Sequence, residues 1–364
     1  MMVMIFLQFG IVAALDIAIL LKLHQAFRRT RFPKEDPKKP NELPSVSVCI
    51  SARNETHAMT QCLERVIASD YPKLEIIVLD DGSRDDTSLL IKSFAYAGVR
   101  FIEGKPLPDG WLGKNYAQSV LAKEASGEIL FFMDVDTLID RYTVARLVHY
   151  MQQQKARMIS VIPLRSHRWE ASTLLTTMRY FWALIRFSPR RPRAASNVWL
   201  IERELMLEQL EIDATLALSM LMETTIARKL AALGQYRLAL SSDWLGICYE
   251  KKWSSQIETS IRLLYPQCNA SIVQVIGLVV LLAVALIPYI IWWWQPWALV
   301  LVAVQYAIGY YYLSYIWLSN RLIGAILVPV TIAQEIILLI VSTYKYRLGT
   351  VTWKGRPILK ASRS

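Results

Sequence analysis

The stretch "GEILFFMDVDTLID" (Gly127–Asp140) decides how this chain folds. Ile129 to Met133 are five consecutive apolar residues, too few for a helix and right for a fully buried strand. The strand ends on two carboxylates one residue apart, Asp134 and Asp136. A buried strand has no use for paired charges at its tip, so the charges belong to whatever the strand's end faces.

Working outward, the same grammar repeats. "SVSVCIS" alternates as a strand, and "ETHAMTQCLERVIAS" puts Met59, Cys62, Leu63, Val66 and Ile67 on one helical face. "LEIIVLDDGS" is a second buried strand running into a turn. "DDTSLLIKSFAYA" is a helix capped near Asp85, "VRFIEG" a third strand and "NYAQSVLAKEAS" a third helix. Strands alternating with helices of this length predict parallel βαβ units and a doubly wound α/β sheet, a Rossmann-like arrangement. Such sheets bind ligands at the carboxyl ends of their strands. The polar motifs stand there: "ARNE" after the first strand, "DDGS" after the second, "DVD" after the fourth.

Composition sets the surroundings. The 364 residues are 54% hydrophobic, high for a water-soluble chain, and the apolarity is concentrated. Residues 1–23 form one apolar run and residues 271–344 another, long enough for two or three crossings at about 20 residues each. The first run has no basic n-region and no small-residue cleavage site, which reads as a retained transmembrane anchor rather than a signal peptide. Arg28, Arg29, Arg31, Lys34, Lys38 and Lys39 follow it, in a basic linker over 24–44. By the positive-inside rule this multi-pass membrane protein holds its globular domain, 45–265, in the cytoplasm. Within that domain, 171–187 has the pattern of an amphipathic helix lying at the membrane interface.

"WWWQPW" (Trp292–Trp297) splits the second apolar run. One membrane helix precedes it, a second reaches Ser319, and "NR" (Asn320, Arg321) marks a return. The third piece, 322–343, contains Pro329, Gln334 and Glu335 and is expected to be re-entrant or interfacial, which keeps the basic tail 345–364 cytoplasmic. The net charge of +11 lies largely beside apolar segments and in "RFSPRRPR" (Arg186–Arg193). That favours anionic lipid headgroups, and no nucleic-acid recognition motif accompanies it. Cys49, Cys62, Cys248 and Cys268 have no CxxC spacing and read as reduced apolar residues.

Several residue types suit a phosphate-handling site. Asp134 and Asp136 can share one hard divalent cation, Mg²⁺ or Mn²⁺, with substrate phosphates. Asp80 and Asp81 close a strand before Gly82, where turn chemistry and hydrogen bonds to a base or ribose hydroxyl are both open readings. "SARNE" brings Arg53 and Glu55 to the same edge. In "GWLGKNYA", Lys114 opens a helix against the dipole, which an anion such as a diphosphate would relieve. Glu223, inside "LSMLMETTIARKL", suits an ion pair with Arg228 or Lys229, simple exposure, or a general base.

Taken together, "SARNE", "DDGSRDDT" and "DVD" resemble the family 2 glycosyltransferases of GT-A fold. "GWLGKNYA" and the terminal "GTVTWKGRPI" look most like membrane-bound members that glycosylate lipids, such as the carotenoid glycosyltransferases. The resemblance implies an inverting hexosyltransferase acting on a nucleotide-sugar donor, such as UDP-glucose, and a membrane lipid acceptor. It implies that Ala52, Arg53, Glu55, Asp80, Asp81, Lys114, Asp134 and Arg262 meet the donor and that Asp134 and Asp136 serve the metal, as manganese or magnesium. Glu223 would be the catalytic base, aligned with the first residue of the family's "ED" pair. Thr224 departs from the second. The QxxRW motif of processive synthases is missing from "SQIETSIRLL", where only Arg262 supplies a cation, and no glycine-rich acceptor loop stands in "ASNVWLIERELM". Two alternatives remain: transfer to a polyprenyl phosphate, and a non-catalytic nucleotide-binding scaffold.

Overall fold

The computed structural model describes residues 2–35, 43–166, 170–176, 178–189 and 192–358, with side chains from 9 onward. Lys38 and Lys39 of the linker, and Arg190 and Arg191 of the basic loop, lie outside the described residues. The chain divides into two compact units. One holds 30–164 and 187–250; the other holds 1–29, 165–186 and 251–364.

The first unit is built on a seven-stranded sheet. Its strands are β1 (Val46–Ala52), β2 (Leu74–Asp80), β3 (Val99–Glu103), β4 (Ile129–Met133), β5 (Met158–Ile162), β6 (Val198–Glu202) and β7 (Tyr236–Leu240), in the order β3-β2-β1-β4-β6-β5-β7. Strands β1 to β4 are parallel neighbours, as the alternation predicts, and Val48 lies between Ile76 and Phe131. Strand β4 coincides with the apolar run Ile129–Met133, and all five residues are buried. The glycine before it has a steric reason: a Cβ on Gly127 would stand 2.6 Å from the Ser47 amide nitrogen. The Gly127 amide instead donates to Ser47 Oγ at 2.8 Å.

The helices between strands are α2 (Thr56–Ile67), α3 (Thr87–Ser93), α4 (Gly113–Glu124) and α5 (Thr143–Gln153), and α2 buries Met59, Cys62, Leu63 and Val66 as its period requires. They follow a long first helix, α1 (Met2–Thr30), which belongs to the other unit up to Arg29. Two more helices, α8 (Arg203–Ile212) and α9 (Met222–Ala232), lie between β6 and β7.

The sheet is mixed, which the alternation did not foretell. Strand β6 runs antiparallel to both β4 and β5. The reason is topological. Strand β5 ends at the carboxyl edge, and among the described residues of 163–197 no crossover helix returns the chain to the opposite edge. The next strand must therefore run back from where β5 stopped. Trp199 on β6 stacks on Phe132 of β4 with ring centroids 4.4 Å apart, sealing this reversed pair.

The second unit contains α6 (Ala171–Leu174), α7 (Arg179–Ile185), α10 (Trp253–Gln267), α11 (Ile272–Ile291), α12 (Ala298–Ile316), α13 (Arg321–Ile326) and α14 (Val328–Leu348). Four segments, Phe9–Thr30, Ile272–Ile291, Ala298–Ile316 and Val328–Leu348, are long and apolar enough to cross a membrane. A small residue permits close packing between two of them, since a Cβ on Gly309 would meet Val328 Cγ2 at 2.5 Å, and beside them a Cβ on Gly324 of α13 would meet the Trp317 ring at 2.4 Å. The turn at "NR" is real, with Asn320 in the left-handed region at φ 57°. Pro329 starts α14, where its missing N–H costs no helical hydrogen bond. One expectation is corrected. Residues 171–187 form two short helices, α6 and α7, rather than one amphipathic helix, because Glu335 and Gln334 of α14 reach the chain between and beside them. Glu335 accepts from the Met178 amide at 3.3 Å and from Trp182 Nε1 at 2.8 Å, and Gln334 donates to the Leu175 carbonyl at 3.0 Å.

Candidate active site

The carboxyl edge of the parallel strands carries two networks with different chemistry. The first joins the loops after β1 and β2. Asn54 takes a left-handed backbone, φ 53°, which its short polar side chain tolerates. Its amide donates to Ser83 Oγ at 3.0 Å, and its Oδ1 accepts from the Arg84 amide at 2.9 Å. The Glu55 amide donates to Thr87 Oγ1 at 2.9 Å, and Arg53 donates to the carbonyls of Asp81 and Gly82.

The paired aspartates now separate. The Asp80 carboxylate accepts from the hydroxyls of Ser83 and Ser88, so its oxygens serve the turn. A Cβ on Gly104 would come within 2.4 Å of the Asp80 carbonyl, so the β3 end needs a glycine there. Asp81 is buried at the strand tip, its amide on the Ala52 carbonyl at 2.8 Å. Asp85 stands against the next helix as expected. Burial opposes its charge, but hydrogen bonds from Thr56 and Thr87 outweigh that and hold its pKa down at about 2.

The second network surrounds the tip of β4. Lys114 Nζ lies 2.6 Å from Asp134 Oδ1 and donates to the Ser196 carbonyl at 2.9 Å. Asn197 Nδ2 donates to Asp134 Oδ2 at 3.3 Å, and the Asp134 amide to the Asn197 carbonyl at 2.9 Å. The reversal of β6 creates this: it places Ser196 and Asn197, which precede β6, beside the end of β4. Asp136 is buried, and its carbonyl accepts from the Glu250 amide at 2.8 Å. The buried Cys62 thiol reports the charge density here. Its pKa is pushed up first by burial, then by the nearby Asp136, Glu55 and Asp134 carboxylates.

Among the described residues no three His, Cys, Asp or Glu side chains form a ready metal cage. Two carboxylates on one strand tip nevertheless fit Mg²⁺ or Mn²⁺, which commonly take one or two protein carboxylates and complete their shell from phosphates and water. The hard oxygen donors of Asp134 and Asp136 match that chemistry.

Glu223 lies in the first turn of α9 and is 4% exposed, which removes the reading of simple exposure. Lys229 of the same helix pairs with Asp213 at 2.8 Å. Thr224, in the departing position, accepts from the Ala194 amide at 3.1 Å. Nearby, the Tyr236 hydroxyl donates to the Arg193 carbonyl at 3.0 Å and shares a hydrogen bond with Ser160, whose oxygen accepts from the Ala195 amide at 3.2 Å. Burial pushes the Tyr236 hydroxyl up, and the neighbouring Glu223 charge pushes it further. Residues 193–195 are thus pinned from three sides.

Asn115, beside Lys114, has a role that the sequence analysis does not assign. Its Nδ2 donates to the carbonyls of Leu216 and Ser219 at 2.8 Å each and of Ala217 at 3.2 Å. With the Leu112 amide on the Ala217 carbonyl, it ties the start of α4 to the segment that leads into Glu223. A buried asparagine just inside a helix start was the available signal, because such a residue needs partners for its amide. Arg262 belongs to the other unit, where its guanidinium stacks over the Trp353 ring at 4.6 Å.

The fold and part of the sequence are similar to known proteins. Residues 47–200 match the family described as Glycosyl transferase family 2. A probable glycosyltransferase, YdaM, of Bacillus subtilis is 35% identical over 120 residues, 32% of this chain and 28% of that one. A 4,4'-diaponeurosporenoate glycosyltransferase of Staphylococcus haemolyticus is 30% identical over 131 residues, 35% of this chain and 34% of that one. The matched stretch thus spans about a third or less of these relatives' own length. The solved mannosyltransferase PcManGT from Pyrobaculum calidifontis, in complex with GDP-Man and Mn²⁺, shares the fold with a TM-score of 0.56 at 20% identity, covering 92% of this chain and 96% of that one. Over residues 47–200 the chain is similar to glycosyl transferase family 2.

Proposed function

We propose that this chain is an inverting, metal-dependent hexosyltransferase that moves a sugar from a nucleotide diphosphate sugar, a uridine diphosphate sugar by preference, to a lipid acceptor at the cytoplasmic face of the membrane. The observation that carries this reading is Asp134, held by Lys114 and Asn197 at the mouth of the parallel strands. A lysine paired with a carboxylate at a helix start is ready to take a diphosphate alongside a cation.

In this reading Ala52, Arg53, Glu55 and Asp81 receive the nucleoside, and Asp80 keeps the receiving turn in shape. Asp134 and Asp136 would hold Mg²⁺ or Mn²⁺, which when bound neutralises charge on the diphosphate. Lys114 adds a second positive group as the leaving oxygen gains charge. Glu223 takes the proton of an acceptor hydroxyl as that oxygen bonds to the anomeric carbon. The bond to the diphosphate breaks on the opposite face, so one displacement inverts the configuration. The four apolar helices and the likeness to a carotenoid-acid glycosyltransferase support a lipid as acceptor.

The test supplies membranes containing the full chain with a panel of labelled nucleotide sugars and extracts the lipids. Label should enter the organic phase with at least one donor. Label in no extract with any donor would favour a non-catalytic nucleotide-binding scaffold. Full turnover by Asp136→Asn would refute the metal role, and undiminished transfer to a hydroxyl acceptor by Glu223→Gln the base role.

A further inference from the structure

The helical unit contains a cleft that the transfer chemistry does not use. It has an empty volume of about 780 Å³ and is walled by Ile19 of α1, Phe181 of α7, Ala285 of α11, Ile308 of α12 and Ile332 of α14. A second apolar cleft of about 650 Å³ shares Ile19, Phe181, Ala285 and Ile332 with it and continues past Leu15 and Leu281. Together they form an elongated apolar groove.

Among the polar side chains that line this groove, Asp16 and Gln305 meet each other from two apolar helices. Asp16 is 3% exposed and Gln305 is 6% exposed. They touch each other weakly, Gln305 Nε2 to Asp16 Oδ1 at 3.4 Å. That leaves Asp16 Oδ2 and Gln305 Oε1, both without a protein donor among the described residues. Asp16 stands well inside the apolar segment Phe9–Thr30, and Gln305 near the middle of Ala298–Ile316. At hydrocarbon depth an ionisable group is costly and marks a site with a partner. Tyr312 Oη and Trp317 Nε1 line the same cleft and likewise lack a partner among the described residues, so the groove offers donors beside its two orphaned acceptors, a combination that a hydroxyl, donor and acceptor at once, matches.

We propose that the groove binds a long apolar lipid carrying a hydroxyl group, with Asp16 and Gln305 receiving that hydroxyl. A membrane-spanning wall on four sides selects a lipid over any water-soluble molecule, and the pair of acceptors selects an alcohol over a hydrocarbon or an ether. The binding site does not rest on the function proposed above.

The test is photolabelling of the detergent-purified full chain, without nucleotide sugar, by a diazirine-bearing long-chain alcohol and by its methyl ether. The alcohol should label peptides containing Phe181 or Ile332 about tenfold more than the ether, the loss that one charge-assisted hydrogen bond confers. Asp16→Leu should erase the difference. Ala285→Phe, which fills the groove without touching the polar pair, should reduce labelling by both probes and covers the case that Asp16→Leu does not fold. Equal labelling by alcohol and ether, or labelling of peptides outside the groove, overturns the proposal. A chain that is labelled as expected but transfers no sugar upholds the site and sinks the function proposed above. Sugar transfer by a chain that resists labelling sinks the site alone.

Discussion

The two units place their acidic residues in opposite ways. In the sheet unit, Asp81, Asp134 and Asp136 stand at strand tips, and Asp80 and Asp85 organise the turns beside them. In the helical unit, Asp16 and Glu335 sit within apolar helices, each met by a donor from another segment. The difference teaches what holds a carboxylate in each setting. A strand tip supplies backbone geometry and polar loops, so charge there is available to a polar ligand. An apolar helix supplies neither, so each buried acid needs a specific side-chain partner or a ligand.

Breaking the strand-tip arrangement should have the largest effect. Glu223→Gln is expected to slow transfer to a hydroxyl acceptor by about 10²–10⁴-fold, the usual contribution of a positioned base, with donor affinity little changed. A donor Kd rising in step with the rate loss would place Glu223 in donor binding instead. Asn115→Ala should come next, lowering kcat by about 10–100-fold while the sheet stays folded, because releasing 216–219 shifts the start of α9. Circular dichroism beside single-turnover kinetics checks it, and an unchanged rate would detach Asn115 from the site.

In the helical unit the expected loss is stability rather than rate. Glu335→Leu leaves Trp182 Nε1 and the Met178 amide without their acceptor, for about 1–3 kcal/mol. Thermal unfolding in detergent should show a lowered midpoint, which Trp182→Phe in the same chain partly restores by removing one stranded donor. The smallest effect belongs to Asp85. Its pKa lies below the ordinary 3.8, so its contribution is present above about pH 4 and is lost as pH falls toward about 2. Asp85 is exposed at the surface, so the contribution is below about 1 kcal/mol. Protection of the Thr87 amide against hydrogen exchange, taken relative to its intrinsic rate at each pH, should fall across that window in the native chain and stay level in Asp85→Asn.

The comparison also explains what was legible. The parallel strands β1 to β4 and the Asp134–Asp136 tip were readable because period and spacing are local properties of the chain. The reversed strand β6 was not, since its direction depends on where a long excursion ends rather than on "VWLIE" itself. Asn197 and Asn115 were missed for the same reason: each acts on a segment distant in sequence, one through β6 and the other across about a hundred residues. The amphipathic pattern of 171–187 was real, but periodicity cannot show that Gln334 and Glu335 claim backbone and side-chain groups along it. Thr224 looked like a defect in a motif, and in the structure it anchors Ala194.

The central claim is that the tip of β4, with Lys114, receives a nucleoside diphosphate together with a divalent cation. Calorimetric titration of the purified full chain with uridine diphosphate, with and without Mn²⁺, tests it most directly. Binding should require the cation and weaken about tenfold or more in Asp134→Asn, the cost of one lost charge-assisted contact. Binding of equal strength with and without the cation, unaltered in Asp134→Asn, would contradict it.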